Sequence, residues 1–130
     1  MEITENIKVF FKQDLDSLVA HSGRYKRDLT ADRVDSLTTI DKTIATKEIA
    51  FAENATWCVG KAIQACSIKS RKILTGVYLL DQLNKTVMKE IGYGQTRYYE
   101  LKQIAIDEFI DNFAKYQKRI GVELYIKLVK

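Results

Sequence analysis

Polar side chains between residues 95 and 103 have the chemistry needed to read base pairs in duplex DNA. Gln95 can form paired hydrogen bonds with adenine, and Thr96 can offer a hydroxyl group or touch the methyl group of thymine. Arg97 can bind a guanine or a phosphate. At helical spacing, the leading face would carry the polar set Gln95, Thr96, Arg97, Tyr99, Glu100 and Gln103. The first five of these are the base-facing candidates. We therefore predict a helix here whose outer face contacts nucleotides.

Basic side chains are concentrated around this run. Residues 61–104 hold 8 basic and 3 acidic side chains, a net charge of +5, whereas residues 1–60 hold 8 and 10, a net charge of −2. A basic surface attracts phosphate and speeds the encounter with nucleic acid. We predict contacts with DNA phosphates, which fix register but carry no sequence information, from Lys69, Arg71, Lys72, Lys85, Lys89 and Lys102.

The elements that must position these side chains follow a helix-turn-helix pattern. The pattern predicts helices over about residues 84–91 and 95–116, packed on each other through their apolar residues. Gly92 stands where the first helix must end, in a left-handed conformation that costs glycine nothing. Tyr93 is expected to turn inward between the helices, and Gly94 can serve as the N-cap of the second. Such a pair presents its second helix to the major groove.

The rest of the chain favours a mostly helical fold, since its 130 residues include no proline. Apolar residues at three- and four-residue steps predict further helices over about 2–19, 47–65 and 67–80, with a loop and a short helix around 31–37. Gly23 and Gly121 are expected to end helices. The tail alternates like a short strand that pairs with a partner or packs on the N-terminal region. The prediction is a helical bundle that ends in a helix-turn-helix.

Two regions are expected in this chain. Residues 1–45 would form an N-terminal helical region, and residues 46–130 the helix-turn-helix DNA-binding domain. The apolar stripe between Ile3 and Leu18 is generous for so short a chain. It therefore predicts a homodimer or a contact with RNA polymerase.

No pattern for catalysis, metal binding or cofactor binding is found. His21 is the only histidine, and the sequence has neither zinc-ligand spacing nor a glycine-rich phosphate loop. The acidic pairs Asp14–Asp16 and Asp107–Glu108 are interpreted as solvated helix faces. Cys58 and Cys66 would lie about 12 Å apart on one helix, too far to bridge each other. We expect buried thiols in a reducing compartment.

The cellular location of the protein is predicted from two features that the sequence lacks. No apolar run approaches the roughly 20 residues needed to cross a bilayer, and the first residues do not resemble a signal peptide. We expect a cytoplasmic protein that does not enter the membrane, uses no cofactor and is not an enzyme.

The segment IGYGQTRYYELK, residues 91–102, followed by Ala105, Ile106 and Phe109, resembles the C-terminal signature of the ArpU family of phage-encoded transcriptional regulators. In that signature a serine stands at the position of Gly94, and its loss weakens the helix cap by about a few tenths of a kcal/mol. The resemblance covers about residues 68–113. It implies a sigma-factor-like helix-turn-helix, duplex DNA and RNA polymerase as partners, and activation of late phage or prophage genes in a bacterial host cell.

Two other classes of function fit the same sequence. A phage packaging component, such as a small terminase subunit, would also carry a helix-turn-helix but would assemble into a ring. A helical protein-interaction module would use the same hairpin to bind a protein and never touch DNA. Oligomer size separates the first alternative, and salt-sensitive duplex binding separates the second.

Overall fold

The structure is a computed structural model, and it describes residues 1–37 and 46–130. Within them the chain is mostly helical and has two short strands, which confirms the prediction of a mostly helical fold. Helix α1 (residues 7–22) and helix α3 (residues 68–79) each contain a π-helical turn, Phe10–Asp14 and Thr75–Leu79. The remaining elements are β1 Glu2–Asn6, α2 Lys47–Gln64, α4 Asn84–Ile91, α5 Gln95–Ile120 and β2 Tyr125–Val129, with 3-10 turns at Lys26–Leu29 and Val34–Ser36.

The chain begins with a strand, so the prediction of a helix from residue 2 is wrong for residues 2–6. β1 pairs in parallel with β2, with Glu2 opposite Tyr125 and Asn6 opposite Val129. Asn6 caps the helix that follows, because its side chain accepts a hydrogen bond from the main-chain N–H of Lys8 at 2.8 Å. The predicted tail strand is confirmed, and it packs on the N-terminal region.

The main hydrophobic core lies between α1, α2 and α5. Phe10, Phe11 and Leu15 of α1 are buried against Phe109 and Phe113 of α5. Most of the predicted apolar stripe is therefore buried inside the molecule, although Ile3 on β1 is exposed. The homodimer stays a prediction, and the stripe no longer supports it. This core also joins residues on both sides of the predicted boundary at residue 45, although the division itself stays a prediction.

Residues 23–37, which follow α1, pack along α2. The structure replaces the short helix predicted over 31–37 with the 3-10 turn Val34–Ser36. A Cβ atom on Gly60 of α2 would lie 2.5 Å from Val34 Cγ2 and 2.9 Å from the carbonyl oxygen of Leu29, so this close approach requires glycine. Lys61 of α2 also pairs with Asp35, Nζ to Oδ1, at 2.7 Å. These contacts fix the position of residues 26–36.

The other helix predictions agree with the structure to within a few residues. α4 has the predicted bounds, and α5 runs on to Ile120, where Gly121 ends it with φ 66°. Gly23 ends α1 in the same way, with φ 73°. No helix in the described ranges has both the length and the apolar character that crossing a bilayer requires.

Candidate DNA-binding surface

Residues 92–94 form the turn that joins α4 to α5. Gly92 is left-handed, with φ 77°, and its N–H donates to the carbonyl of Met88 at 3.1 Å. Gly94 is extended and stands at the N-cap of α5, where its carbonyl accepts from the N–H of Tyr98 at 2.9 Å. The roles predicted for both glycines are confirmed, because a left-handed residue ends the first helix and an extended one begins the second.

A small apolar cluster, which we call the hairpin core, holds α4 and α5 against α3. Its buried members are Ile73, Val87, Tyr98 and Leu101. Tyr93, predicted to fill the space between the helices, is only half-buried at the edge of this cluster, and its hydroxyl bonds to the Lys69 ammonium. Tyr98 fills that space instead, because its side chain is fully buried.

A hydrogen-bond network fastens the first turn of α4 to α5. The hydroxyl of Tyr98 donates to Asn84 Oδ1 at 2.7 Å, and Lys102 Nζ donates to the same oxygen at 3.0 Å. Burial, with Tyr99 and Tyr78 nearby, raises the pKa of Tyr98 to about 12, so its hydroxyl stays protonated at neutral pH. These bonds fix the rotation of α5 about its axis relative to α4.

Lys102 thus has internal partners, although it was predicted as a phosphate contact. It is half-buried, and its ammonium lies 5.6 Å from the ring centre of Tyr78. Burial, followed by the positive charge of Lys8, lowers its pKa. A phosphate contact by Lys102 stays a prediction, but the side chain would have to leave Asn84 to make it.

The six polar side chains predicted for the leading face of this helix, which include the five base-facing candidates, all lie exposed on α5. They are Gln95, Thr96, Arg97, Tyr99, Glu100 and Gln103. Arg97 Nη1 and Glu100 Oε2 are 3.1 Å apart, and both side chains are more than half exposed, at 53% and 57%. An ion pair this exposed contributes at most about 1 kcal/mol, so either side chain can exchange its partner for a nucleotide at little cost.

The other predicted phosphate contacts lie on α3 and α4 at varying exposure. Lys85 and Lys89 are exposed on α4, and Lys69 and Lys72 on α3, whereas Arg71 is half-buried. Besides bonding to the Tyr93 hydroxyl, the Lys69 ammonium lies 4.8 Å from the centre of that ring. The hydrogen bond from Lys69 and its charge lower the pKa of Tyr93. This contact places Lys69 beside the turn.

Two cationic residues near these side chains were missed by the sequence reasoning. Arg27 and Arg33, from the segment before residue 37, line a groove together with Arg71 and Lys72 of α3. The two pairs are about forty positions apart in the chain. No local pattern could have joined them, because only the packing of residues 26–36 along α2 brings them together.

Contrary to the interpretation from the sequence, Glu108 does not lie on a solvated helix face. Its carboxylate accepts from the N–H of Ser67 at 3.0 Å and from the Ser67 hydroxyl at 3.1 Å, and it also bonds to the Ser70 hydroxyl. Burial opposes ionisation here, but the bonds from Ser70 and Ser67 outweigh it and lower the pKa of Glu108. α5 therefore caps the start of α3 and positions the basic residues on it.

Neither a metal-binding cluster nor a disulfide occurs in the described ranges. They contain no group of three or more histidine, cysteine, aspartate or glutamate side chains that could hold a metal ion. Cys58 and Cys66 are free and buried, as predicted, and burial raises the pKa of the thiols to about 12 and about 11. Both thiols are therefore protonated and unreactive at neutral pH.

Comparison of the chain with family models, with curated proteins and with solved structures finds no match. The resemblance to the ArpU family therefore stays a prediction that rests on the residues between 68 and 113.

Proposed function

We propose that this protein binds duplex DNA in a sequence-specific manner and regulates transcription, with the first turns of α5 in the major groove. The observation that carries the proposal is the exposure of six polar side chains on α5, from Gln95 to Gln103, while Tyr98 and Leu101 of the same turns are buried. A recognition helix needs both properties, because base readout requires free hydrogen-bonding groups on a helix whose orientation is fixed by its buried residues.

In this proposal the two kinds of contact come from different elements. Gln95, Thr96 and Arg97, in the first turn of α5, contact base edges, and Tyr99, Glu100 and Gln103 extend this contact along the helix. Phosphate contacts come from the lysines on α3 and α4 and set the register. In the absence of DNA, Glu100 pairs with Arg97, and this weak contact can be exchanged for a nucleotide.

The regulatory role within this proposal rests on the resemblance to the ArpU family. It assigns the protein to the activation of late phage or prophage genes, with contact to RNA polymerase, in the cytoplasm of a bacterial host. The excess of basic side chains in residues 61–104 supports duplex DNA as the partner.

Selection of bound duplexes from a random pool, run on the intact chain and on Q95A/R97A, tests the proposal. We expect the intact chain to enrich one sequence. The variant should lose at least about tenfold in affinity for it, because each paired base contact contributes about 1–3 kcal/mol. Affinity for unrelated duplexes should largely persist, since phosphate contacts supply it.

A matched control removes two charges far from the turn. Lys115 and Lys118 are exposed on α5, at least about 30 Å along the helix axis from Gln95. K115A/K118A should keep the selected sequence and lose little affinity for it. No enriched sequence for the intact chain would contradict the proposal and favour a protein-interaction module. A ring of many copies in solution would favour a packaging component.

A further inference from the structure

A groove of about 630 Å³ lies between the segment 27–33 and helices α3 and α4. Its lining includes Gly76 and the apolar residues Val87 and Ile91. Gly76 lets α4 approach closely, because a Cβ atom there would lie 2.7 Å from Val87 Cγ2.

Cations outnumber carboxylates on the walls of this groove. Arg27, Arg33, Arg71 and Lys72 line it, together with only two acidic residues, Asp32 and Glu90. Within the described ranges, the only ion pair of these cations is a long one between Arg33 Nη1 and Asp28 Oδ1, at 3.9 Å. The groove therefore has positive charge available for an anion. Guanidinium groups also match the geometry of phosphate oxygens better than ammonium groups do.

One side of the groove, at Ile91, lies close to the proposed recognition helix. Ile91 lines the groove and precedes Gln95 by four residues, a separation of at most about 14 Å even for an extended chain. The major groove of DNA is about 12 Å wide, so a phosphate strand that borders it comes within that distance of the helix inside. On α3, Lys72 is one helical turn from Lys69, whose ammonium bonds to Tyr93 in the turn itself.

We infer that this groove binds the sugar-phosphate backbone of the DNA strand that borders the major groove, with Arg27 and Arg33 as phosphate ligands. The inference rests on the proposed function and extends the DNA-binding surface to a segment outside the α4–α5 hairpin. Arg27 and Arg33 carry no sequence information in this arrangement. They supply affinity and hold the duplex against one side of the hairpin.

The salt dependence of duplex binding tests this inference. Each phosphate contact contributes about −0.9 to the slope of log affinity against log salt concentration. R27A/R33A should therefore have a slope shallower by about 1.8. Between 50 and 200 mM salt, its affinity should fall about 12-fold less than that of the intact chain. The measurement is fluorescence anisotropy on the selected duplex. The selected sequence should not change.

Two further variants make the result specific. R27K/R33K keeps both charges and should keep a slope close to that of the intact chain. K115A/K118A removes two charges remote from the turn and should leave the slope unchanged. Both arginines are exposed, so the variants should fold, and thermal unfolding verifies this.

Failure of the inference and failure of the proposed function give different results. A normal slope in R27A/R33A, or an equal loss of slope in K115A/K118A, would overturn the inference and leave DNA binding by α5 intact. Absence of duplex binding by the intact chain would overturn both. A variant that enriches a different sequence would show that the arginines touch bases, which also contradicts a backbone groove.

Discussion

Glu5 and Asp14 bring two carboxyl groups together where β1 meets α1. Burial, then a hydrogen bond to Asp14 and its negative charge, raises the pKa of Glu5 from 4.5 to about 7. The folded chain thus retains a proton at Glu5 that the unfolded chain releases near pH 4.5. The resulting contribution to stability is complete below pH 4.5 and is lost as the pH rises through about 7.

The variant E5Q should remove this dependence on pH. At pH 5 the protonated carboxyl group and the amide can make similar hydrogen bonds to Asp14, so the two proteins should unfold at similar urea concentrations. At pH 8 the intact chain carries two neighbouring carboxylates, whereas E5Q carries one. We expect the variant to be the more stable protein at pH 8, as measured by urea unfolding. An advantage for E5Q that is the same at both pH values would contradict this assignment.

For individual side chains, the sequence was informative about one part of the surface only. The outer residues of α5 could be predicted because exposure alternates with burial along a single helix. The roles of Arg27 and Arg33 and the protonation of Glu5 could not be predicted. Each depends on a partner that is distant in the chain or on an element that the sequence pattern assigned wrongly. Residue type gives chemistry, but the neighbours that tune it come from tertiary packing.

The orientation of α5 against α4 depends on the side chain of Asn84. Removing that side chain would leave the Tyr98 hydroxyl and the Lys102 ammonium without their shared acceptor. We expect N84A to lower the free energy of unfolding by about 2–3 kcal/mol. Y98F loses one bond and leaves Lys102 paired, so its cost should be about 1 kcal/mol.

Urea unfolding of both variants provides the measurement, and T86A is a control, since Thr86 is exposed on the same helix. T86A should change stability by at most about 0.5 kcal/mol. Equal losses for N84A and Y98F would contradict the idea that one amide oxygen serves both donors.

The helices could be predicted from the sequence where local signals mark their ends. α4 and α5 begin and end close to the predicted positions because Gly92, Gly94 and Gly121 perform local backbone tasks. β1 could not be predicted, because the spacing of Ile3, Ile7 and Phe10 also suits a helix. The pairing that decides in favour of a strand involves residues more than 120 positions away. Asn6 was the available signal, since an asparagine at this point favours a helix start.

The two strands join the ends of the described chain, and Gln117 supports them from α5. Its side-chain amide donates to the carbonyl of Ile126 at 2.9 Å and accepts from the N–H of the same residue at 2.8 Å. The amide thus occupies the place that a third strand would take. A two-stranded sheet is marginally stable alone, so this buried contact matters for the whole molecule.

Q117A should leave both main-chain groups of Ile126 buried without a partner. We expect a loss of about 2–6 kcal/mol in the free energy of unfolding, because each of the two unpaired groups costs about 1–3 kcal/mol. Q103A is the matched control, since Gln103 is exposed on the same helix, and it should be close to neutral. Comparable losses for the two variants in urea unfolding would contradict this role for Gln117.

The parallel pairing of β1 with β2 also determines when this sheet can form during synthesis. β1 leaves the ribosome before β2, whose last residue emerges only after residue 129 has been translated. At about 5–20 residues per second, the first strand waits several seconds with unpaired main-chain groups. Its three exposed polar residues, Glu2, Thr4 and Asn6, keep the nascent segment hydrated over that interval and make it a poor template for aggregation.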